Sequence, residues 1–181
     1  MSRPTRYFIL FSLPITLSFG LWVLWEARWA RDAWFWTHVG FLCVALSGLV
    51  MAVLTAILYL WQSSQLKSKH PGSVFFKLPA LGTLEKLHFM ALSSGVIFFS
   101  LGILSGLFWA TDRKELHNIL NDPKAMLSFL TCFLYWVIVS LRLSALGRGQ
   151  KVAAGTLIVF ALLFVTFMSS YVAPSSFHRG L

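Results

Sequence analysis

Five long apolar stretches alternate with shorter polar ones along this chain. They run approximately Tyr7–Trp25, Trp36–Trp61, Leu87–Trp109, Ala125–Leu143 and Val152–Ala173. A helix needs roughly 20 apolar residues to cross the hydrocarbon core of a bilayer. The pattern therefore predicts an all-α fold: a polytopic membrane helical bundle of five transmembrane helices, forming one integral-membrane domain over residues 1–181. The first stretch follows a basic start, Ser2-Arg3-Pro4-Thr5-Arg6, and is too long for a typical signal-peptide core. No small-residue cleavage site follows it, so it is expected to be retained as a helix.

The polar connections set the orientation. With the N-terminus inside and the C-terminus outside, the inner segments hold nine basic residues and one acid, Glu85. The outer segments hold six basic residues and five acids. That asymmetry is the positive-inside pattern. It also accounts for the net charge of +9, which in a soluble protein would suggest nucleic acid. No nucleic-acid partner is needed here; anionic lipid is the natural counterpart.

Composition agrees. Apolar residues make up 57% of the chain, charged residues only 12%, and mean hydropathy is +0.75. Soluble domains carry about 25% charged residues. Cys43 and Cys132 both lie inside apolar runs, which argues against a disulfide framework or a thiolate zinc site. Of the eight tryptophans, Trp22, Trp25, Trp29, Trp34, Trp36 and Trp109 fall at the outer face, with Trp61 near the inner one. Interfacial anchoring explains any one of them. Six on one side also suggest an aromatic platform.

Spanning helices gain no hydrophobic drive from lipid and depend on close packing. Gly95, Phe99, Gly102 and Gly106 recur on one face of the third stretch, with Ser105 beside them. The second stretch has Gly40, Ser47 and Gly48. These are expected to be packing notches, with the third helix central.

No span carries an acid or a histidine at its middle, which disfavours proton pumps and ion-coupled transporters. Hydrolase, phosphate-loop and metalloprotease motifs are absent from the sequence. The histidines are the remaining chemistry. His38 and His178 lie at outer helix ends, His117 in an outer loop, and His70 and His88 on the inner side. Two outer histidines could offer imidazole nitrogens to one iron, and an indole-rich surface suits the face of a porphyrin. Interfacial hydrogen bonding to water or headgroups is the plainer reading. For His88, beside Glu85 and Lys86, snorkelling or a helix-end hydrogen bond suffices. His70 precedes Pro71-Gly72 and is expected to be solvated, and Arg142 is expected to anchor orientation. The inner connection Gln62–Lys86 allows a short amphipathic segment on the membrane.

Several segments in order resemble the integral-membrane cytochrome c assembly superfamily (CcsA, CcmC and HemX-like proteins). They are His38-Val39 opening a long helix, Leu58-Tyr59-Leu60-Trp61-Gln62, Leu78-Pro79-Ala80-Leu81 and Leu84-Glu85-Lys86-Leu87. Leu101-Gly102-Ile103-Leu104-Ser105-Gly106-Leu107-Phe108-Trp109-Ala110, Asp122-Pro123-Lys124 and Gly147-Arg148-Gly149-Gln150-Lys151 follow. The resemblance covers about residues 34–178. It implies haem handling at the outer face of a bacterial inner membrane, with His38 and His178 as iron ligands. Trp34, Trp36, Trp109 and Asp122 would line the cofactor. Haem b, held stably or only in passing, is the implied cofactor. A membrane-protein partner of cytochrome c assembly, and apocytochrome c, are the implied partners. The chain departs from the family where Leu116-His117-Asn118-Ile119-Leu120-Asn121 replaces tryptophans, and where Ser140 replaces an intramembrane histidine. These departures point to a reduced, HemX-like member and away from haem export or thioether formation. His117 would partly replace a lost contact, and enzymatic activity would at most be part of a haem-attachment system. The competing expectation is a structural or regulatory subunit on the same fold, without haem.

Overall fold

A computed structural model describes residues 33–68, 79–112, 121–144 and 149–172, with isolated positions elsewhere. Over these residues the chain is helical: α1 (Ala33–Ser68), α2 (Leu81–Asp112), α3 (Pro123–Leu143) and α4 (Gln150–Val172). All four are long and apolar enough to cross a membrane. They coincide with four of the five apolar stretches. The first stretch, Tyr7–Trp25, lies outside the described residues, as does any amphipathic segment over residues 69–78.

Two helices exceed their apolar runs. At 1.5 Å per residue, the 36 residues of α1 reach about 54 Å and the 32 of α2 about 48 Å, against a hydrocarbon core of about 30 Å. The extensions carry polar side chains (Gln62 and Ser63 on α1, Glu85 on α2) that need no lipid around them but break no helical hydrogen bond.

The backbone contact between α1 and α2 is set by glycines. A Cβ at Gly48 would lie 3.0 Å from the Cα of Gly95, and one at Gly95 would lie 2.9 Å from the side chain of Leu49. About two turns along, a Cβ at Gly102 would meet Leu42 at 2.7 Å, and about three turns along one at Gly106 would meet His38 at 2.8 Å. The helices are antiparallel and locked in this register by missing side chains, as close packing in lipid requires. Gly95, Gly102 and Gly106 thus form the expected notched face. Gly40 does not join it: among the described residues nothing lies within 4 Å of its Cβ position. Among the described residues the third apolar stretch is one half of a tightly paired spine, against which α3 packs on α2 and α4 packs on α1 and α3. Leu49, Leu92, Val96, Tyr135 and Val159 meet in the core between all four helices.

The link into α3 explains Asp122-Pro123-Lys124. Asp122 is the N-cap, its carboxylate accepting the backbone N–H of Lys124 at 2.9 Å, and Pro123 opens the helix where its missing N–H costs nothing.

Candidate functional site

The end of the bundle where α1 begins and α2 ends gathers the aromatic residues. Phe35 packs edge-on against Trp36 at 5.6 Å and Trp109 at 5.7 Å between ring centroids, and Trp34 stacks on Phe108 at 5.8 Å. The packing divides the tryptophans by role. Trp109 is closed in at 5% exposure, Trp36 is half-buried, and Trp34 is 46% exposed. Only Trp34, with Phe108 at 61%, offers a broad face to a large ligand from this group.

His38 stands one turn into α1 beneath these rings. Its Nδ1 donates to the carbonyl of Gly102 on α2 at 2.7 Å. A carbonyl can only accept, so the neutral ring carries its proton on Nδ1 and leaves the lone pair on Nε2. That arrangement, a second-sphere carbonyl fixing tautomer and ring plane, is how metal-ligating imidazoles are held. The ring also needs Gly106, whose missing side chain makes room for Cε1 and Nδ1. Lys124, at the start of α3, lies within electrostatic range of His38. The loop before α3 therefore returns to the same end of the bundle.

Among the site residues expected from sequence, His38, Trp34, Trp36 and Trp109 belong to this end, and Asp122 caps the helix that carries Lys124 toward it. His178 lies outside the described residues. His117 is exposed, with Asn121 donating to its backbone carbonyl at 2.9 Å and its Nε2 at 3.3 Å. No group of three or more metal-ligating side chains occurs among the described residues. One imidazole whose tautomer is fixed by a backbone carbonyl, at the same end of the bundle as the exposed Trp34, is a donor a haem iron would accept.

The structure brings out a second polar group that residue order does not suggest. His88 is no snorkelling end residue: it is 4% exposed and its Nε2 pairs with Thr156 on α4 at 3.1 Å. Arg142 is more than an orientation anchor. It forms an ion pair with Glu85 at 2.9 Å and lies over the ring of Phe89 at 5.6 Å. The partners are far apart in sequence, and no periodicity within one helix could reveal them. Ser140, which stands where the resemblance implies an intramembrane histidine, is exposed on α3 and donates to the Trp136 carbonyl.

Comparison with known proteins agrees with the resemblance read from the sequence. The profile of the family described as "Cytochrome C assembly protein" matches residues 16–178. The inner membrane protein YpjD of Escherichia coli K12 is 29% identical over 117 residues, covering 64% of this chain and 42% of YpjD. The cytochrome c biogenesis protein CcsA of Guillardia theta is 24% identical over 166 residues, covering 83% of this chain and 54% of that protein. The chain thus spans about half the length of the curated relatives it matches. No solved structure matches it.

Proposed function

This chain belongs to the cytochrome c assembly protein family, and on that premise we propose that it holds haem at the outer face of the membrane for a partner in cytochrome c maturation. His38, through Nε2, and His178 would hold the haem iron. Trp34 would line the cofactor, with Trp36 and Trp109 behind it, and Asp122 would line it from the start of α3. The cofactor is haem b, whose iron supplies the electron-accepting centre when bound; the protein's own contribution is to orient the imidazole and exclude water.

The observation that carries this reading is the Nδ1–H of His38 committed to the Gly102 carbonyl, which leaves the lone pair on Nε2 at the end of the bundle that also carries the exposed Trp34. The chain is one domain of five spans, N-terminus inside and C-terminus outside, in a bacterial inner membrane. That topology puts His38 and His178 on the same outer side. The partners are a membrane protein of the assembly pathway and apocytochrome c.

Absorption spectra of the detergent-purified protein, oxidised and dithionite-reduced, test the proposal with a pyridine haemochrome assay. A Soret band with sharp reduced α and β bands is expected, lost in His38→Ala and in His178→Ala. Spectra unchanged in both variants would remove the ligand assignment. One observation favours a second reading, a haem-free scaffold subunit: Trp109, shared by the family's aromatic stretch, is closed in by its neighbours. A colourless protein that copurifies with a defined membrane partner and takes up no added haem would select it.

A further inference from the structure

Ser105 lies on α2 between Gly102 and Gly106, the two residues that seat His38, and is 5% exposed. A small residue on such a face ordinarily does no more than let backbones approach. The hydroxyl of Ser105 has a further partner. Its Oγ donates to the carbonyl of Gly102 at 2.8 Å, and the same oxygen takes the Nδ1–H of His38 at 2.7 Å. Both groups must be the donors, because a carbonyl can only accept. A helical carbonyl ordinarily serves the N–H four residues on as well. The two lone pairs of the Gly102 oxygen are therefore contested.

Serine hydroxyls that reach back to a carbonyl three or four residues earlier recur along the spine. Ser47 bonds Val44 on α1, and Ser94 bonds Ala91 on α2. Only at Gly102, among the described residues, does the receiving carbonyl also hold a histidine. Three residues of one α2 turn thus act on the same ring. Gly106 makes room for it, Gly102 supplies the acceptor, and Ser105 shares that acceptor.

We infer that Ser105 is a positioning residue that sets the donor strength of His38 towards a haem iron, an inference that rests on the reading of His38 as a ligand. A hydrogen bond from Nδ1–H to an oxygen pushes electron density into the ring and raises the basicity of Nε2. The push grows with the acceptor strength of that oxygen. The hydroxyl of Ser105 draws density from the Gly102 carbonyl and so holds the push down. His38 is then a weaker donor than an imidazole with a carbonyl to itself. Hydrogen bonding behind an axial ligand is one of the levers by which a protein sets a haem potential. A weaker donor favours ferrous over ferric iron and loosens the hold on ferric haem. That suits a site which keeps haem in order to pass it on.

Ser105→Ala tests it on the full chain. The change leaves the Gly102 carbonyl paired with His38 and improves helix propensity, so the fold is expected to survive. Nitrogen-15 and proton NMR of histidine-labelled apoprotein in detergent reads the hydrogen bond without haem. The Nδ1–H resonance of His38, identified by its loss in His38→Ala, should move downfield in Ser105→Ala as its bond strengthens. In the haem-loaded protein, Ser105→Ala should shift the midpoint potential to more negative values and slow transfer of ferric haem to apomyoglobin severalfold. A residue that only packed would do the reverse, since a lost contact speeds haem loss. Ser105→Thr keeps a hydroxyl able to reach back along the helix and should follow the wild type. Ser94→Ala removes the same kind of bond from a carbonyl that holds no histidine, and should change nothing. An unmoved His38 resonance in Ser105→Ala overturns the inference, as does a potential that stays put or rises. So does Ser105→Thr shifting together with Ser105→Ala. A wild-type chain that takes up no haem would sink the ligand reading and this inference with it, whereas a haem protein indifferent to Ser105 would sink this inference alone.

Discussion

The imidazole of His38 lies so close over Gly106 that a single methyl there would sit 2.8 Å from both Nδ1 and Cε1. The ring is thereby held between a carbonyl it donates to, Gly102 on the same α2 face, and a residue with no side chain. A family-like glycine spacing and a candidate ligand are thus one structural device: the notch that packs the helices also seats the histidine.

Gly106→Ala should therefore displace His38 without touching its chemistry. Haem retention on purification is expected to fall severalfold, with the reduced α band broadened. Gly40→Ala, where the added methyl meets nothing within 4 Å, should leave the spectrum unchanged. Equal spectra for the two variants would count against His38 as a ligand.

Gly48→Ala and Gly95→Ala test the spine. A methyl at residue 48 meets backbone, the Cα of Gly95 at 3.0 Å, and one at residue 95 meets the backbone N of Leu49 at 3.0 Å as well as its side chain at 2.9 Å. Backbone cannot rotate away, so each variant is expected to cost stability near the upper end of the roughly 1–3 kcal/mol typical of overpacking. Unfolding in mixed detergent, followed by tryptophan fluorescence, checks both, and unchanged stability in either would count against this register.

His88 and Thr156 should behave as a coupled pair. Thr156→Val leaves the buried Nε2–H of His88 without an acceptor, a cost of about 1–3 kcal/mol. His88→Leu with Thr156→Val removes both polar groups and is expected to recover part of that loss. A double-mutant cycle on thermal unfolding measures the coupling. Additive losses would mean that the 3.1 Å contact contributes nothing.

Asp122 carries two separable expectations. As the α3 N-cap, its replacement by Ala should cost about 1 kcal/mol while Asp122→Asn costs much less. Asp122→Asn keeps the cap and removes the charge, so a change in haem spectrum with unchanged thermal stability would assign the carboxylate a part in the site. Loss of stability alone would confine it to capping.

Residue order alone was enough for the membrane character, for four helices, for the notched face of α2 and for the family. Each of these rests on a signal carried within one segment: an apolar run longer than the bilayer needs, a glycine repeat, or an ordered set of short motifs. The same reasoning picked out His38 and the tryptophans around it, because they sit beside one another at a helix end. It also grouped Gly40 with the notches, whereas among the described residues nothing packs against it. Local spacing says which residues share a helix face but not which face meets a neighbour.

Tertiary structure decided the rest. Which tryptophan is buried and which is open, the tautomer of His38, and the pairing of His88 with Thr156 all depend on residues 64–74 positions apart. The same holds for Arg142 and Glu85, two charges that read separately as membrane anchors and together form one inward-facing ion pair. Hydrophobicity places a helix in the bilayer with little regard for its rotation. Rotation is settled only when backbones close on one another, and with it which polar atoms find a partner.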